Sequence, residues 1–349
     1  MKLNLGILSF AHGHIGAYAA VMKGRDDVAL IGAWDDDPER GQSRSKEFEI
    51  EFVPGLDDLL SREDIHAVMI GSETSKHAEH VEAAAAAGKD ILLQKPMAFT
   101  LEDCDRIRKS VETSGVRFSI AWQMRCDPQN QWMKDALASG RFGRPLMVRR
   151  RHGLPTQVWG DAFAESWHVK PEFNLGMFMD DASHPADWFL WTFGKPVSVM
   201  AEIDTLLNPK VPDDNGAAIF KFKDGMIGII ESSFTTIAAE DTTTIVAEKG
   251  TILQSWGDGP SCLAQPESPD GPLFGLKYYL AGEDRWQTVD IPTPAAHGAR
   301  IEGIVDPAVA FLKGERGPIA DADDGRTCTE MVLAAYESSK TGQRIAVEP

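Results

Sequence analysis

Residues 1–122 alternate short apolar segments with helical segments, and this alternation limits the possible folds more than any other feature of the chain. Leu3–Leu8, Val28–Trp34 and Ala67–Ile70 have the composition of strands, and Val28–Trp34 is apolar throughout, as strands buried on both faces of a sheet are. A helical segment that begins at Pro38 lies between two of them. Because strand–helix units joined by short loops pair their strands in parallel, with right-handed crossovers, the pattern predicts a doubly wound, Rossmann-like α/β sheet.

A different pattern begins after residue 122. Strand segments dominate beyond Pro145, and residues 223–225 (Lys-Asp-Gly) have the composition of a hairpin turn. Since few long crossovers separate these strands, the second sheet should be mostly antiparallel. We therefore predict two domains, 1–122 and 123–349, of which the second is α+β. A stretch rich in Gly, Pro, Ser and Asp predicts a loop over 257–275.

The composition argues against several classes of function. With 53 acidic residues against 35 basic ones, the formal charge of −18 would repel a phosphate backbone, so no nucleic-acid partner is expected. No apolar run approaches the roughly 20 residues of a membrane span, and the N-terminal segment lacks the features of a signal peptide. Cys104, Cys126, Cys262 and Cys328 have no CxxC spacing, which favours thiols in a reducing cytoplasm over a zinc site. The basic run 149–151 is interpreted as a solvated or interface edge of a strand.

The turn after the first strand is the predicted cofactor site. A dinucleotide site needs glycines there, so that the backbone approaches the pyrophosphate at a helix N-terminus. When the turn is aligned on the strand, the three glycine positions fall on Ser9, Ala11 and His14. Ser9 and Ala11 are small enough for close approach, whereas His14 is bulky. The predicted cofactor contacts of this turn are Ser9, Phe10, Ala11, His12, His14 and Ile15.

Asp35 ends the second strand, where a carboxylate accepts hydrogen bonds from the adenosine ribose. Asp36 and Asp37 follow, so a 2′-phosphate would meet negative charge, and NAD is favoured over NADP. An alternative stays open, above all for Asp37: these acids cap the helix that begins at Pro38. His12-x-His14 has a spacing found in metal ligands, but without a third ligand nearby no metal is expected.

Lys95 is the first candidate for the chemistry. It follows the apolar strand segment Ile91–Leu93 and precedes Pro96. In a doubly wound sheet the ligand crevice lies outside the carboxyl ends of the strands, so this lysine would point to where substrate and nicotinamide meet. The alternative is a lysine that merely extends its ammonium group to solvent from a strand end.

Asp180, His184 and Asp187 form the second candidate cluster, because their spacing places them on one face of a helix. Pro185 fits only the first turn of a helix, so the helix is predicted to begin near Ser183, with Asp180 before it. The alternative is that Asp180 and Asp181 are N-terminal acids that serve the helix dipole and that His184 is a hydrogen-bonded core histidine.

Taken together, these segments resemble the Gfo/Idh/MocA oxidoreductases over nearly the full chain. The matching segments are the first strand with its turn, Asp35-Asp36-Asp37-Pro38-Glu39-Arg40, Gly71-Ser72-x4-His77, Ala87-Gly88-Lys89-x4-Gln94-Lys95-Pro96, Gly176-x3-Asp180-x3-His184-x2-Asp187 and Ala334-x2-Glu337-Ser338-x3-Gly342. The resemblance implies an N-terminal Rossmann domain that binds the dinucleotide and a C-terminal domain for substrate binding and oligomerisation. It also implies NAD- or NADP-dependent chemistry on sugars, inositols and related polyols, in dimers or tetramers.

The same resemblance implies roles for single residues. Lys95 would contact the substrate and polarise its reacting hydroxyl, His184 would be the acid/base, and Asp180 would be its neighbour in the substrate pocket. Ser72, His77 and Gln94 would line the cofactor crevice, and Gln123, Arg125, Trp167 and His168 would contact the substrate. The chain departs from the family pattern at Gln94, which replaces a glutamate and removes a negative charge beside Lys95, and at the turn glycines.

We therefore predict an oxidoreductase that transfers hydride between NAD(H) and a secondary alcohol or ketone of a sugar or inositol-like polyol. Two alternatives stay open: a glycoside-cleaving enzyme that oxidises its substrate transiently with bound NAD, and a non-catalytic ligand sensor of the same fold. The expected partners are a small sugar or polyol and further copies of the chain, as a homodimer or homotetramer. A mostly antiparallel sheet with one uncovered face suggests a dimer through that face.

Overall fold

The computed structural model describes residues 2–154, 161–236, 242–255, 275–293 and 297–347. Except for its last position, the loop predicted over 257–275 lies outside the described residues. The chain forms two compact units, one of residues 1–123 and 301–329 and the other of residues 124–300 and 330–349.

The division into units differs from the predicted domains at residue 123, which belongs to the first unit, and at residues 301–329. The prediction assigned all of 123–349 to one domain, but residues 301–329 pack in the first unit. There Ile319 N donates to Ser119 Oγ and Thr329 Oγ1 donates to Ala98 O, both at 2.9 Å. Local sequence patterns do not predict that the chain returns to the first unit at residues 301–329, because this packing depends on contacts between segments that are distant in the sequence.

The first unit contains a six-stranded sheet in which all neighbouring strands are parallel. Its strands are β1 (Leu3–Leu8), β2 (Val28–Trp34), β3 (Glu51–Phe52), β4 (Ala67–Ile70), β5 (Asp90–Leu93) and β6 (Phe118–Ile120). The order is β3-β2-β1-β4-β5-β6, so the strand order reverses between β1 and β4. The predicted doubly wound Rossmann sheet is confirmed, and the reversal lies where such sheets bind their ligands.

Helices of this unit begin and end at residues suited to those positions. The helices are α1 (Gly13–Lys23), α2 (Pro38–Phe48), α3 (Leu56–Leu60), α4 (His77–Ala86) and α5 (Leu101–Ser114). Thr100 Oγ1 accepts from Asp103 N at 3.1 Å at the start of α5, and Gly115, with φ of 70°, ends it. Asp37 accepts from the backbone N–H groups of Glu39 and Arg40 and caps α2, so the capping alternative is correct for Asp37.

Most of the second unit is a nine-stranded sheet with helices on one face. The elements that follow β6 along the chain are α6 (Pro128–Ala138), β7 (Pro145–Gly153), α7 (Asp161–Ala164), α8 (Pro171–Asn174), α9 (Met177–Phe193), β8 (Ser198–Asp204), β9 (Asn215–Lys221), β10 (Ile227–Ser233), β11 (Thr243–Ala247), β12 (Gly250–Gln254), β13 (Leu276–Leu280), β14 (Gln287–Val289), α10 (His297–Glu302), α11 (Val305–Leu312), α12 (Ala322–Thr341) and β15 (Ile345–Ala346). Of these, α11 and the first part of α12 belong to the first unit. Within the described ranges, no helix combines the length and the apolarity that a membrane crossing requires.

The second sheet has the order β14-β13-β12-β11-β7-β10-β9-β8-β15. Strands β7 and β10 are parallel, and the other neighbouring pairs are antiparallel, which confirms the mostly antiparallel prediction. Helix α9 packs on one face, where Phe189 covers Gly228 so closely that a Cβ there would lie 2.6 Å from its ring. The opposite face exposes the apolar side chains of Met147, Met200 and Ile219.

The basic run at 149–151 is only partly on a solvated edge. Arg149 and Arg151 are half-exposed beside Glu231, as the prediction has it. Arg150 is 1% exposed and points to the other face, where its Nη1 donates to Asn130 Oδ1 at 3.1 Å. The interpretation was wrong for Arg150, because successive side chains of a strand alternate between its faces.

Candidate active site

The β1–α1 turn keeps the backbone shape of a glycine turn without its glycines. Ser9 has φ of 67°, a left-handed conformation that costs a non-glycine residue about 1 kcal/mol. Its hydroxyl accepts from Ala11 N at 3.2 Å and from Arg40 Nη2 at 3.2 Å. Local hydrogen bonds thus stabilise at Ser9 a conformation that glycine would adopt without strain.

Asp35 organises this turn from the end of β2. Its side chain is fully buried and accepts hydrogen bonds from Phe10 N at 2.8 Å and Asp37 N at 3.0 Å. Arg40 forms a bidentate ion pair with it, with Nη2 2.6 Å from Oδ1 and Nε 3.0 Å from Oδ2. The carboxylate predicted to bind the ribose is therefore engaged by its own chain in this structure, and its role toward ribose stays a prediction.

Asp36, the next acid, lies between two cations. Its carboxylate pairs with Lys76 and with Arg40 Nη2, the latter at 3.0 Å. Burial raises the pKa of Asp36, but the two cations outweigh it and the pKa is lowered. The negative charge expected to repel a 2′-phosphate is thus partly balanced by neighbouring cations.

A single amide connects the turn to the end of β5. Gln94 Nε2 lies 3.1 Å from His12 Nδ1, and Gln94 Oε1 accepts from Lys95 N at 3.1 Å. His12 Nδ1 also accepts from His14 N at 3.2 Å, as the N-cap of α1. Because this nitrogen accepts hydrogen bonds, the network assigns the imidazole proton to Nε2 and requires a donor at position 94.

The residues at the start of α1 fit a pyrophosphate. The N-terminal end of a helix carries partial positive charge and unpaired N–H groups, which bind anions. A Cβ at Gly13 would have no atom within 4 Å, so space is open above the helix start. Gly71 lets the end of β4 pack against α1, because a Cβ there would lie 2.0 Å from Ile15 Cγ1. His14 is half-buried with its ring against that of His12, so it does not fill this space.

His77 and Ser72 are buried, and their side chains form hydrogen bonds within the first unit. His77 is buried, with Nδ1 3.0 Å from Pro96 O and Nε2 3.2 Å from Ser72 O. Ser72 Oγ lies 2.9 Å from His80 Nδ1. Burial lowers the pKa of His77 to about 4, so its ring is neutral near pH 7 and joins the segments that follow β4 and β5. Their predicted cofactor contacts stay a prediction.

Two polar side chains, Lys95 and Gln123, are buried at the carboxyl edge of the first sheet. Lys95 is 2% exposed and joined to Pro96 by a cis bond. Gln123 is 1% exposed, and neither Oε1 nor Nε2 has a hydrogen-bond partner among the described residues. A buried polar group without a partner costs about 1–3 kcal/mol, and a bound ligand with hydroxyl groups would remove this cost.

In the second unit, helix α9 begins six residues earlier than predicted. It runs from Met177, with Pro185 inside it, so the predicted start near Ser183 was wrong. A backbone N–H group in the first turn of α9 is hydrogen-bonded by a side chain from outside the helix. Met179 N donates to Tyr336 Oη at 3.0 Å, and Tyr336 Oη donates to Asp213 Oδ2 at 2.8 Å. Burial raises the pKa of the Tyr336 phenol, which therefore remains a donor.

The acids of α9 divide between different histidines. Asp180 Oδ2 lies 3.3 Å from His168 Nδ1. Asp181 Oδ1 lies 3.7 Å from His184 Nε2 and 3.8 Å from His152 Nε2. The carboxylate beside His184 is thus Asp181, whereas Asp180 pairs with His168. The sequence alone suggested Asp181 only as an acid serving the helix dipole, and it did not single out His152. The signal for His152 was the strand alternation, which puts residues 148, 150 and 152 on the helix face.

The remaining predicted substrate contacts belong to the same unit. Arg125 and Asp187 form a buried bidentate pair, with Nη2 2.7 Å from Oδ1 and Nε 2.9 Å from Oδ2. Trp167 stacks on His168 with a centroid distance of 3.8 Å. The structure thus brings together Arg125 with Asp187 and Trp167 with His168, while convergence of Lys95 and His184 stays a prediction. No group of three or more His, Cys, Asp or Glu among the described residues is arranged to hold a metal ion.

Two family models match this chain. One, described as an oxidoreductase family with an NAD-binding Rossmann fold, matches residues 10–122. The other, described as the GFO/IDH/MocA C-terminal domain, matches residues 130–253. Together the two matches span more than half of the chain.

Individual relatives agree with the models. A 1,5-anhydro-D-fructose reductase from Ensifer adhaerens is 28% identical over 316 residues, covering 89% of this chain and 88% of that protein. Inositol 2-dehydrogenase 3 from Saccharopolyspora erythraea is 29% identical over 195 residues, covering 55% and 54%. The WlbA dehydrogenase from Bordetella pertussis, solved with NADH and UDP-GlcNAcA, has a TM-score of 0.81 and 25% identity, covering 100% of this chain and 98% of that one. The chain therefore belongs to the Gfo/Idh/MocA family of NAD-binding oxidoreductases.

Proposed function

We propose that this protein is an NAD-dependent dehydrogenase that interconverts a secondary alcohol and a ketone of a sugar or inositol-like polyol. The observation that carries this proposal is the Gln94 amide, which ties the Lys95 backbone to the N-cap of α1. It couples the residue proposed to polarise the substrate to the turn proposed to hold the cofactor. The named activities of the relatives, on 1,5-anhydro-D-fructose and inositol, support the substrate class.

In this proposal the residues of the chain bind and orient the cofactor and the substrate, and one of them takes up a proton. NAD, when bound, would accept the hydride. The N-terminus of α1, with Ser9 and Ala11, would hold the pyrophosphate, while the ammonium group of Lys95 would stabilise the developing alkoxide charge. His184 would take the hydroxyl proton. The Gln123 amide would hydrogen-bond a substrate hydroxyl.

Further contacts of the substrate would come from the second unit. The His168–Asp180 pair is suited to hydroxyl groups, because a carboxylate fixes the tautomer and orientation of the imidazole. Trp167, stacked on His168, offers an apolar face for a sugar ring. The first unit would thus serve as the dinucleotide-binding domain and the second as the substrate and oligomerisation domain. NAD is proposed over NADP because the three carboxylates of Asp35, Asp36 and Glu73 outnumber the two cations, Arg40 and Lys76, that pair with them beside the turn.

We also propose a homodimer or homotetramer through the open face of the second sheet. The exposed side chains of Met200 and Ile219 supply apolar area there. On the same face, Arg149 Nε lies 2.8 Å from Glu231 Oε1. In a dimer with two-fold symmetry, each copy would therefore present both a cation and a carboxylate to the other. Ile219→Glu should then yield a smaller species in sedimentation velocity. The scattered cysteine positions support a cytoplasmic location.

The test combines two substrate probes with two variants. Purified protein would be given NAD with myo-inositol, and NADH with 1,5-anhydro-D-fructose, and absorbance of NADH would be followed. Lys95→Ala and His184→Ala should each lower turnover by about 10² or more, because each removes a group that handles charge or the proton. Lys89→Ala is the matched control, since it removes a buried lysine from the opposite end of the same β5 region.

Three outcomes separate the proposal from its alternatives. Near-normal turnover in both the Lys95 and the His184 variants would remove the catalytic assignment. Sugar product without net NADH, together with cofactor that copurifies, would indicate a glycoside-cleaving enzyme with transient oxidation. Absence of NAD and NADP binding in calorimetry at millimolar cofactor would indicate a ligand sensor.

A further inference from the structure

The segments that follow β2 and β4 meet across the end of β1. In the sheet order β1 lies between these two strands, so about 9.5 Å separates β2 from β4. Asp36 belongs to the segment after β2, whereas Glu73 and Lys76 belong to the segment after β4. Lys76 nevertheless pairs with Asp36, and Arg40 Nη1 lies 4.0 Å from Glu73 Oε1. These ion pairs therefore join the two sides of the β1–α1 turn, where the pyrophosphate is proposed to bind.

Each cation of this cluster contacts more than one carboxylate. Lys76 Nζ pairs with Asp36 and lies 2.9 Å from Glu73 Oε2. Arg40 Nη2 lies 2.6 Å from Asp35 Oδ1 and 3.0 Å from Asp36 Oδ1. Burial lowers the pKa of the Lys76 ammonium group, but the two carboxylates beside it outweigh burial, and the pKa is raised. Three carboxylates and two cations leave the cluster with an excess of one negative charge.

The two cations have the chemistry of a 2′-phosphate site. In Rossmann domains a carboxylate at the end of the second strand contacts the adenosine ribose, and a nearby arginine accommodates the 2′-phosphate of NADP. This chain has both groups, because Arg40 lies beside Asp35. Arginine and lysine form strong hydrogen bonds to phosphate oxygens. The carboxylate of Asp36, however, already lies between Arg40 and Lys76, where a phosphate would meet both cations.

Glu73 is the carboxylate of the cluster that comes from the β4 side of the turn. It is buried, so water and salt screen its charge less than they screen an exposed carboxylate. Its two oxygens lie beside different cations, Oε2 beside Lys76 and Oε1 near Arg40. Loss of the Glu73 charge would make the cluster neutral and would leave Lys76 with one carboxylate fewer.

We propose that Glu73 is a specificity-determining residue, which keeps Arg40 and Lys76 from binding a 2′-phosphate. The inference rests on the proposed dehydrogenase function, and it assigns the choice of NAD over NADP to the segment after β4 as well as to the end of β2. A phosphate monoester carries a charge of about −1.5 to −2 near pH 7, so the excess negative charge of the cluster repels it. Glu73 acts through the two cations and does not contact NAD.

The first test compares the affinities of NADH and NADPH. Both would be titrated by cofactor fluorescence with the wild type and with Glu73→Gln, which preserves the size of the side chain. NADPH affinity should rise about 5-fold or more in Glu73→Gln, because a charge that repels the phosphate is removed. NADH affinity should change by less than about threefold, because NADH has no 2′-phosphate. With Asp36→Asn added, the gain in NADPH affinity should reach about 30-fold or more.

Glu49→Gln is the matched control, because it makes the same change in net charge. Glu49 pairs with Lys23 and follows the last residue of α2, whereas Asp36 and Arg40 lie at the beginning of this helix. The helix is about 16 Å long, which exceeds the Debye length of about 8 Å at physiological salt. NADPH affinity of this variant should therefore stay within about twofold of wild type. An equal gain in Glu49→Gln and Glu73→Gln overturns the proposal, since it indicates an effect of net charge alone.

The second test identifies the cation and the phosphate. Glu73→Gln/Lys76→Met should lose most of the gain in NADPH affinity, because the ammonium group released by the first substitution is then absent. Adenosine 2′,5′-bisphosphate and 5′-AMP would be used as competitors of NADH. Because these two fragments differ only in the 2′-phosphate, Glu73→Gln should improve binding of the bisphosphate alone.

Several results overturn the proposal while the dehydrogenase stands. These are a gain in NADPH affinity below twofold in Glu73→Gln, equal gains for NADH and NADPH, and a gain that persists in Glu73→Gln/Lys76→Met. Loss of both affinities in Glu73→Gln also overturns it, since this indicates a structural role, as does a wild type that binds NADPH more tightly than NADH. If the wild type binds neither cofactor, the proposed function fails, and this inference fails with it.

Discussion

Removal of Arg40 tests whether the buried carboxylate of Asp35 holds the first unit together. Arg40 Nε and Nη2 contact both oxygens of a carboxylate that is fully buried, and Arg40→Ala would leave that charge with two backbone N–H donors and the Ser9 hydroxyl. Loss of one partner of a buried ion pair costs 3–5 kcal/mol when the charge is left uncompensated. Because these donors remain and the Arg40 side chain is 26% exposed, we expect about 2–3 kcal/mol. For a unit of this size that corresponds to a melting shift of roughly 5–10 °C.

Arg106 offers a matched control for Arg40. It makes three hydrogen bonds to carboxylates, at 2.7–3.0 Å, but Glu82 and Asp103 are 40% and 25% exposed. Arg106→Ala should therefore cost no more than about 1 kcal/mol. Since two units make whole-chain unfolding unsuitable for two-state analysis, protection would be measured by hydrogen-exchange mass spectrometry on peptides from β1 and β2. Equal losses of protection in the two variants would refute the reasoning from burial.

Two further predictions concern the buried network beside the proposed cofactor site. Gln94→Glu replaces the donor that faces His12 Nδ1 with an acceptor, so it should weaken NAD binding at least about 10-fold in calorimetry. Gln94→Asn should weaken NAD binding less, because it keeps a donor. Equal NAD affinities of the Gln94→Glu variant and the wild type would contradict the assigned tautomer of His12. His77 has a folded pKa of about 4, below the 6.5 of an unfolded histidine, so its contribution to stability is complete above about pH 6.5 and is lost toward pH 4, by up to about 1.4 kcal/mol per pH unit. Hydrogen-exchange protection of peptides from β4 and β5, corrected for intrinsic exchange rates, would be measured at several pH values in the wild type and His77→Gln, and an unchanged pH dependence of protection in the variant would contradict it.

The Rossmann sheet could be predicted almost residue by residue. Strands buried on both faces need continuous apolar runs, and Val28–Trp34 and Ala67–Ile70 are such runs, bounded by turn residues that the neighbouring helices need as caps. The two-residue strand Glu51–Phe52 was missed, because two residues carry no period. Local sequence therefore determines the existence of these elements, while the weakest edge strand depends on its neighbour.

The candidate site was harder to predict, because its interactions join distant parts of the chain. Pro185 was taken to mark a helix start, yet a hydrogen bond from Met179 N to Tyr336 Oη stabilises an earlier start. Asp35 was assigned to the ribose on its position alone, and its bidentate pair with Arg40 has no local signature. The pairing of Asp181 with His152 likewise depends on the packing of α9 against β7, which no spacing reveals.

Tyr336 gives the last long helix a role that its sequence does not suggest. Gly176 precedes the first residue of helix α9 and has no side chain to cap it, so the hydroxyl of Tyr336, held by Asp213, takes the place of a cap at Met179. Anyone who shortens this chain or attaches a tag close to α12 should therefore expect the proposed acid/base helix to fray from its first turn, although every residue proposed to touch substrate would still be present.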